Sequence, residues 1–104
     1  MTNAHFHILL ALYSAPCHGL GIADDVENHT GGSLKLGPGT LYRSLKELNR
    51  LGLVRPASPP ADADPRRKFY SITERGRKRV EQEARIFERI VDVARTRQVL
   101  PEAR

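Results

Sequence analysis

Two hydrophobic periods alternate along this chain, and the switch between them marks its elements. Phe6, Leu9, Leu10 and Tyr13 recur at the spacing that lines one helix face, and Pro16 closes the segment, which predicts a first helix over about residues 3–14. A second amphipathic stretch, Leu20 to His29, carries Ala23 and Val26 on one side and stops at Gly31-Gly32, where glycine readily takes the left-handed conformation that ends helices. Leu41, Leu45, Leu48 and Leu51 then predict a third helix from about Pro38, a residue suited to the first helical position, to Leu51, with Gly52 beyond it. After Gly52 the period shortens. Leu53-Val54-Arg55 and Lys68 to Ile72 read as strands, with Phe69 and Ser71 facing one way and Tyr70 and Ile72 the other. The twelve residues between them hold four prolines and end in Arg66-Arg67, so the pair is expected to form a hairpin with a long, stiffened tip. Thr73 is a suitable N-cap for a last helix running to about Val99, with Pro101 past its end.

The expected architecture is mainly α with a small β-hairpin, in the order helix, helix, helix, hairpin, helix. Such an arrangement is a winged helix-turn-helix over residues 1–73, followed by a long C-terminal dimerisation helix over 74–104. At 104 residues the chain is about one domain long. Ile, Leu, Val and Phe make up a quarter of it, enough to order a core. No apolar run approaches the roughly 20 residues that cross a bilayer, and no basic segment precedes the longest of them as a secretory signal requires, so no membrane role and a cytoplasmic location are expected. A single cysteine, Cys17, permits no internal disulfide, and no ligand set has zinc spacing, so neither a metal nor a cofactor is expected.

Charge is distributed unevenly. Residues 1–34 hold three acids and no Lys or Arg, whereas residues 35–104 hold all 17 basic residues against nine acids, a net of +8. Positive charge concentrated in part of a small domain points to a polyanion, with nucleic acid ahead of anionic membrane. On the third helix the leucines occupy one side while Tyr42, Arg43, Lys46, Asn49 and Arg50 gather on another. An α-helix fits the major groove of B-DNA, where these side chains meet base edges and phosphates, and the helix start, with Gly39 and Thr40, brings backbone N–H groups to a phosphate, with Lys35 and Pro38 also expected at the DNA. Arg66, Arg67 and Lys68 at the base of the hairpin would lie along the neighbouring backbone, while Asp62 and Asp64 weaken the field at its tip. Double-stranded DNA is the expected partner. A protein–protein adaptor docking an acidic partner on the same surface is the alternative.

The last helix carries two apolar stripes. Val80, Ala84, Phe87, Val91 and Ala94 form one, and Ile86, Ile90, Val93 and Leu100 extend it on one side, an arc too wide for a single partner surface. One stripe is expected to pack on the chain's own helices and the other on a second copy across a twofold axis, with Phe6, Leu9, Ile86, Phe87, Ile90, Val93 and Leu100 at the homodimer contact. Two reading helices so related would select a pseudo-palindromic operator with half-sites about 34 Å apart or a multiple of it. Phe6, Phe87 and Ile90 would line any small-molecule effector pocket at that junction. Enzymatic activity is not expected, since Cys17 and His18 are chain neighbours that rarely face one another, and His5 and His7 lack further metal ligands. His29 is expected to act as a favourable charge at a helix end, and Tyr13 and Tyr70 as core residues with wet hydroxyls.

Several runs carry a family likeness. His18-Gly19-Leu20-Gly21-Ile22, Gly31-Gly32-Ser33-Leu34-Lys35-Leu36-Gly37-Pro38-Gly39-Thr40-Leu41-Tyr42-Arg43-Ser44-Leu45, Gly52-Leu53-Val54 and Arg66-Arg67-Lys68-Phe69-Tyr70-Ser71-Ile72-Thr73-Glu74-Arg75-Gly76 together resemble PadR-like transcriptional regulators over about residues 6–80. The resemblance implies a dimeric, cytoplasmic, DNA-binding repressor, often relieved by a small molecule, with Thr40, Tyr42, Arg43 and the Arg66-Arg67 pair at the DNA. This chain departs from the family in having Leu20 where an aromatic is usual. It also carries a single C-terminal helix, as in the short branch of the family.

Overall fold

A computed structural model describes residues 3–101. The described residues form four helices and three strands: α1 (Asn3–Leu12), β1 (Cys17–His18), α2 (Gly19–His29), α3 (Pro38–Arg50), β2 (Val54–Ala57), β3 (Phe69–Ile72) and α4 (Glu74–Thr96). Ile8, Leu9 and Leu12 of α1, Ile22 and Val26 of α2, and Leu41, Leu45 and Leu48 of α3 close on one another in a single core, completed by Leu53, Val54, Ile72 and Val80. Each such side chain removed from water stabilises the fold by about 1.5–3 kcal/mol before entropy is counted. Leu51 is not among them. Helix α3 ends at Arg50, and Leu51 becomes the cap residue with more than a third of its surface in solvent.

The expected hairpin is two-thirds of a sheet. β2 and β3 pair antiparallel, but β1 pairs with the other edge of β3, giving the order β1-β3-β2 with Cys17 opposite Tyr70 and His18 opposite Phe69. Residues 17–18, between the first two helices, therefore cover the inner edge of the wing. A two-residue strand has no alternation to betray it. Pro56 is accommodated because β2 lies at the outer edge, where a missing backbone donor is tolerated.

Thr73 caps α4 as expected: its hydroxyl oxygen accepts from the Gly76 N–H at 3.0 Å and donates to the Gly52 carbonyl at 2.7 Å. The helix stops at Thr96 rather than Val99. Gln98 adopts a left-handed backbone (φ 62°), and the Val99 N–H turns back to the Ala94 carbonyl at 2.8 Å. The buried residues of α4, Gly76 and Val80, lie in its first two turns, and farther along the helix touches α1 on one side only. The long axis of the molecule is 50 Å.

The two stripes of α4 have different surroundings. Phe87 packs edge-to-face on Phe6 of α1, ring centroids 4.7 Å apart, and Val91 and Ala94 are half-buried. Ile86 and Ile90 remain 51% and 56% exposed, with Val93 and Leu100 also open. Two residues assigned above to a dimer contact lie elsewhere. Leu9 is fully buried in the chain's own core, and Phe6 is buried against Phe87, because α1 turns that face toward α4 and the other helices; neither has a surface to offer a second copy. The Phe6–Phe87 contact also occupies space assigned above to an effector.

Candidate nucleic-acid interface

Helix α3 starts without a side-chain cap. Gly37 is extended (φ −69°, ψ 161°), Pro38 takes the first turn, and Pro38, Gly39 and Thr40 all lie exposed. With Leu41, Leu45 and Leu48 turned inward, the opposite side presents Tyr42, Arg43, Lys46, Asn49 and Arg50 to solvent. Arg43 and Lys46 make no ion pair or side-chain hydrogen bond among the described residues, whereas Arg50 is committed. Its Nε donates to Glu47 at 3.0 Å, and that hydrogen bond holds the Glu47 carboxyl below the usual carboxylate range.

Beside α3 the wing base forms the second wall. Tyr42, Lys46 and Asn49 of the helix face Arg67, Lys68 and Tyr70 across a groove of about 610 Å³, floored by Leu45 and Phe69 and closed by prolines 56, 59 and 65. Five residues singled out from the sequence as DNA contacts thus share one groove: Tyr42, Lys46, Asn49, Arg67 and Lys68. Arg43 and Thr40 lie on the other flank of α3, in a depression with Lys46, His5 and Arg50. Lys35 and Pro38 lie on a third surface with Leu20, Leu36 and Tyr42, and the Lys35 ammonium is 3.8 Å from Glu27. Tyr42 borders both this surface and the wing groove.

The three wing cations differ in state. Arg66 is tied to Asp64 through its Nε and a terminal nitrogen at 3.2 Å, and its backbone N–H adds a third bond to the same carboxyl at 2.9 Å. These bonds hold Asp64 below its ordinary value. Arg67 turns inward to the ring of His18, and Lys68 makes no ion pair among the described residues. Sequence reasoning missed His18 in this role. Its Nδ1 accepts from the Gly21 N–H at 3.1 Å, so it caps α2, a task for which the usual signal is Ser, Thr, Asp or Asn. Gly19 beside it permits close packing, since a Cβ there would sit 2.6 Å from the Tyr42 hydroxyl.

Burial pushes the Cys17 thiol up, leaving it protonated and weakly nucleophilic at neutral pH. His29 does not stand alone at its helix end: its ring lies 2.8 Å from His7 and 3.4 Å from Asp25. The Tyr13 hydroxyl is bonded to Glu81, and the Tyr70 hydroxyl is pushed up by burial. No described helix is long and apolar enough to cross a membrane.

The model of the transcriptional regulator PadR-like family matches residues 8–82 of the chain. The chain belongs to that family. As a PadR-like transcriptional regulator, it is 34% identical over 88 residues to an uncharacterized 37.1 kDa protein of transposon TN4556 from Streptomyces fradiae; the match takes in 85% of this chain but 24% of that protein, so the chain spans about a quarter of its relative. A PadR family transcription regulator from Clostridium difficile has the same fold at a TM-score of 0.76, with 23% identity over 91% of this PadR-like chain and 97% of that one. A transcriptional regulator from Clostridium thermocellum superposes with a TM-score of 0.73 at 22% identity, covering 89% and 87% of the two chains.

Proposed function

We propose that this PadR-like regulator is a homodimeric, cytoplasmic repressor that reads duplex DNA with α3 and grips the flanking backbone with the base of its wing. One observation carries the reading: Tyr42, Lys46 and Asn49 from the helix and Arg67 and Lys68 from the wing line one open groove. Arg43, Lys46 and Asn49 supply the donors and acceptors that meet base edges, while Arg67 and Lys68 supply charge for phosphates. Lys35, Pro38, Gly39 and Thr40 flank the start of α3, and Arg66 stands by in its pair with Asp64. The second copy docks on Ile86, Ile90, Val93 and Leu100, with the exposed edge of Phe87, and sets two reading helices on a pseudo-palindromic operator. A small effector would act at the same seam, beside Phe87 and Ile90.

Fluorescence anisotropy against fragments around the protein's own gene tests this reading. Saturable binding with a steep negative salt slope is expected; Arg43→Ala relaxes sequence preference by about 1–3 kcal/mol, whereas Lys68→Ala weakens all duplexes alike and reduces the slope by about one. Absence of binding to any duplex at low salt would overturn it in favour of an adaptor for an acidic protein.

A further inference from the structure

We propose that His18 is a positioning residue that holds Arg67 in its DNA-contacting place, an inference that rests on the reading of the groove just given. The two side chains meet because of β1. His18 is paired directly with Phe69, and Arg67 stands two residues before Phe69, in the bend that leads into β3, within reach of a long side chain. Arg67 Nη1 lies 3.1 Å from both ring nitrogens of His18, and the imidazole stands edge-on to the Phe69 ring at 5.4 Å. His18, Arg67, Lys68, Tyr42 and Tyr70 together line a cleft of about 470 Å³ that adjoins the groove of α3.

The chemistry of the contact assigns the tautomer. A guanidinium has donors only, and the Gly21 N–H also points at Nδ1 from 3.1 Å. The Gly21 N–H takes the one lone pair of that nitrogen, so Nδ1 is bare and, in the neutral ring, the proton is on Nε2. One ring thus caps α2 through Nδ1 and holds the guanidinium against itself at the base of the wing. An arginine already ordered loses less freedom on meeting a phosphate than one waving from a proline-rich loop.

His18→Ser separates the two tasks. Serine keeps an acceptor for the Gly21 N–H, so α2 stays capped, but its side chain is too short to reach Arg67. The variant is expected to melt at the parent's temperature and to bind every duplex about two- to tenfold more weakly, the range set by freeing one long side chain. Without Arg67, His18 has nothing left to position, so the double variant His18→Ser/Arg67→Ala binds as Arg67→Ala alone. A parent that binds, an Arg67→Ala that weakens it and a His18→Ser that does not would overturn this proposal alone. Losses that multiply in the double variant would do the same. Failure of the parent to bind any duplex strikes instead at the reading of the groove. A readout without DNA completes the test: the ring ¹⁵N shifts of His18 at pH 8 are expected to report an Nε2–H tautomer and to move on Arg67→Ala, and unmoved shifts would overturn the contact itself.

Discussion

Gly76 is the glycine with the least room for a side chain. A Cβ built there would stand 2.1 Å from the Leu53 carbonyl oxygen and 2.8 Å from Ile72 Cγ1, and the first of these is backbone that cannot step aside. The same carbonyl accepts from the Thr73 N–H at 3.1 Å, so the first turn of α4 is pressed onto the strand side of the sheet. Gly76→Ala should therefore lower stability by about 1–3 kcal/mol or more, read as a drop in the urea midpoint; an unchanged midpoint would show that the close approach is relieved at no cost. At this scale the sequence was legible where a residue has one common use. Thr73 was readable as a cap because threonine is a usual one. His18 was not, because an imidazole acceptor at a helix start falls outside the usual set, and its adjacency to Cys17 directed attention to nucleophilic chemistry instead.

Between elements, the contact of α1 with α2 includes a histidine pair. His7 Nδ1 and His29 Nε2 lie 2.8 Å apart, sharing one proton, and Asp25 backs the second ring. Burial first, and then the neighbouring His29, push the His7 imidazole below its ordinary 6.5; burial does the same to His5, two residues earlier on α1. A histidine with a lowered folded pKa takes up its proton more readily when the chain unfolds. Stability is thus complete above about pH 6.5 and falls as the pH drops from there toward the folded value. Urea midpoints at pH 8 and pH 5.5 should show this loss, and His7→Gln should shrink it; a midpoint independent of pH would exclude the effect. The helices themselves were readable from leucine spacing, down to Leu41, Leu45 and Leu48 of α3. The third strand was not, since two residues paired across 50 positions of chain carry no local signal, and with it went the route by which His18 meets the wing.

For the whole molecule, the open stripe of α4 is the surface on which the proposed dimer rests. Ile86 and Ile90 are more than half exposed on a helix whose last buried residue is Val80. Ile86→Glu and Ile90→Glu should each shift sedimentation at micromolar concentration from two copies to one without loss of helicity, since each removes about 1.5–3 kcal/mol of burial per copy and adds a charge. Duplex affinity should fall with it, because one reading helix then loses the high local concentration supplied by the other. Sedimentation as a single copy by the parent itself would sink the dimer.

The seating of α4 on Leu53 through Gly76 and Thr73 makes that helix a lever arm. Its 23 residues span about 34 Å, so a tilt of about 5° at the far end displaces the anchored end by about 3 Å, close to the roughly 3.4 Å rise of one base-pair step. In a twofold pair joined along α4, discrimination between operators that differ by one base pair in half-site separation would then reside in the stiffness of a hinge that touches no nucleotide.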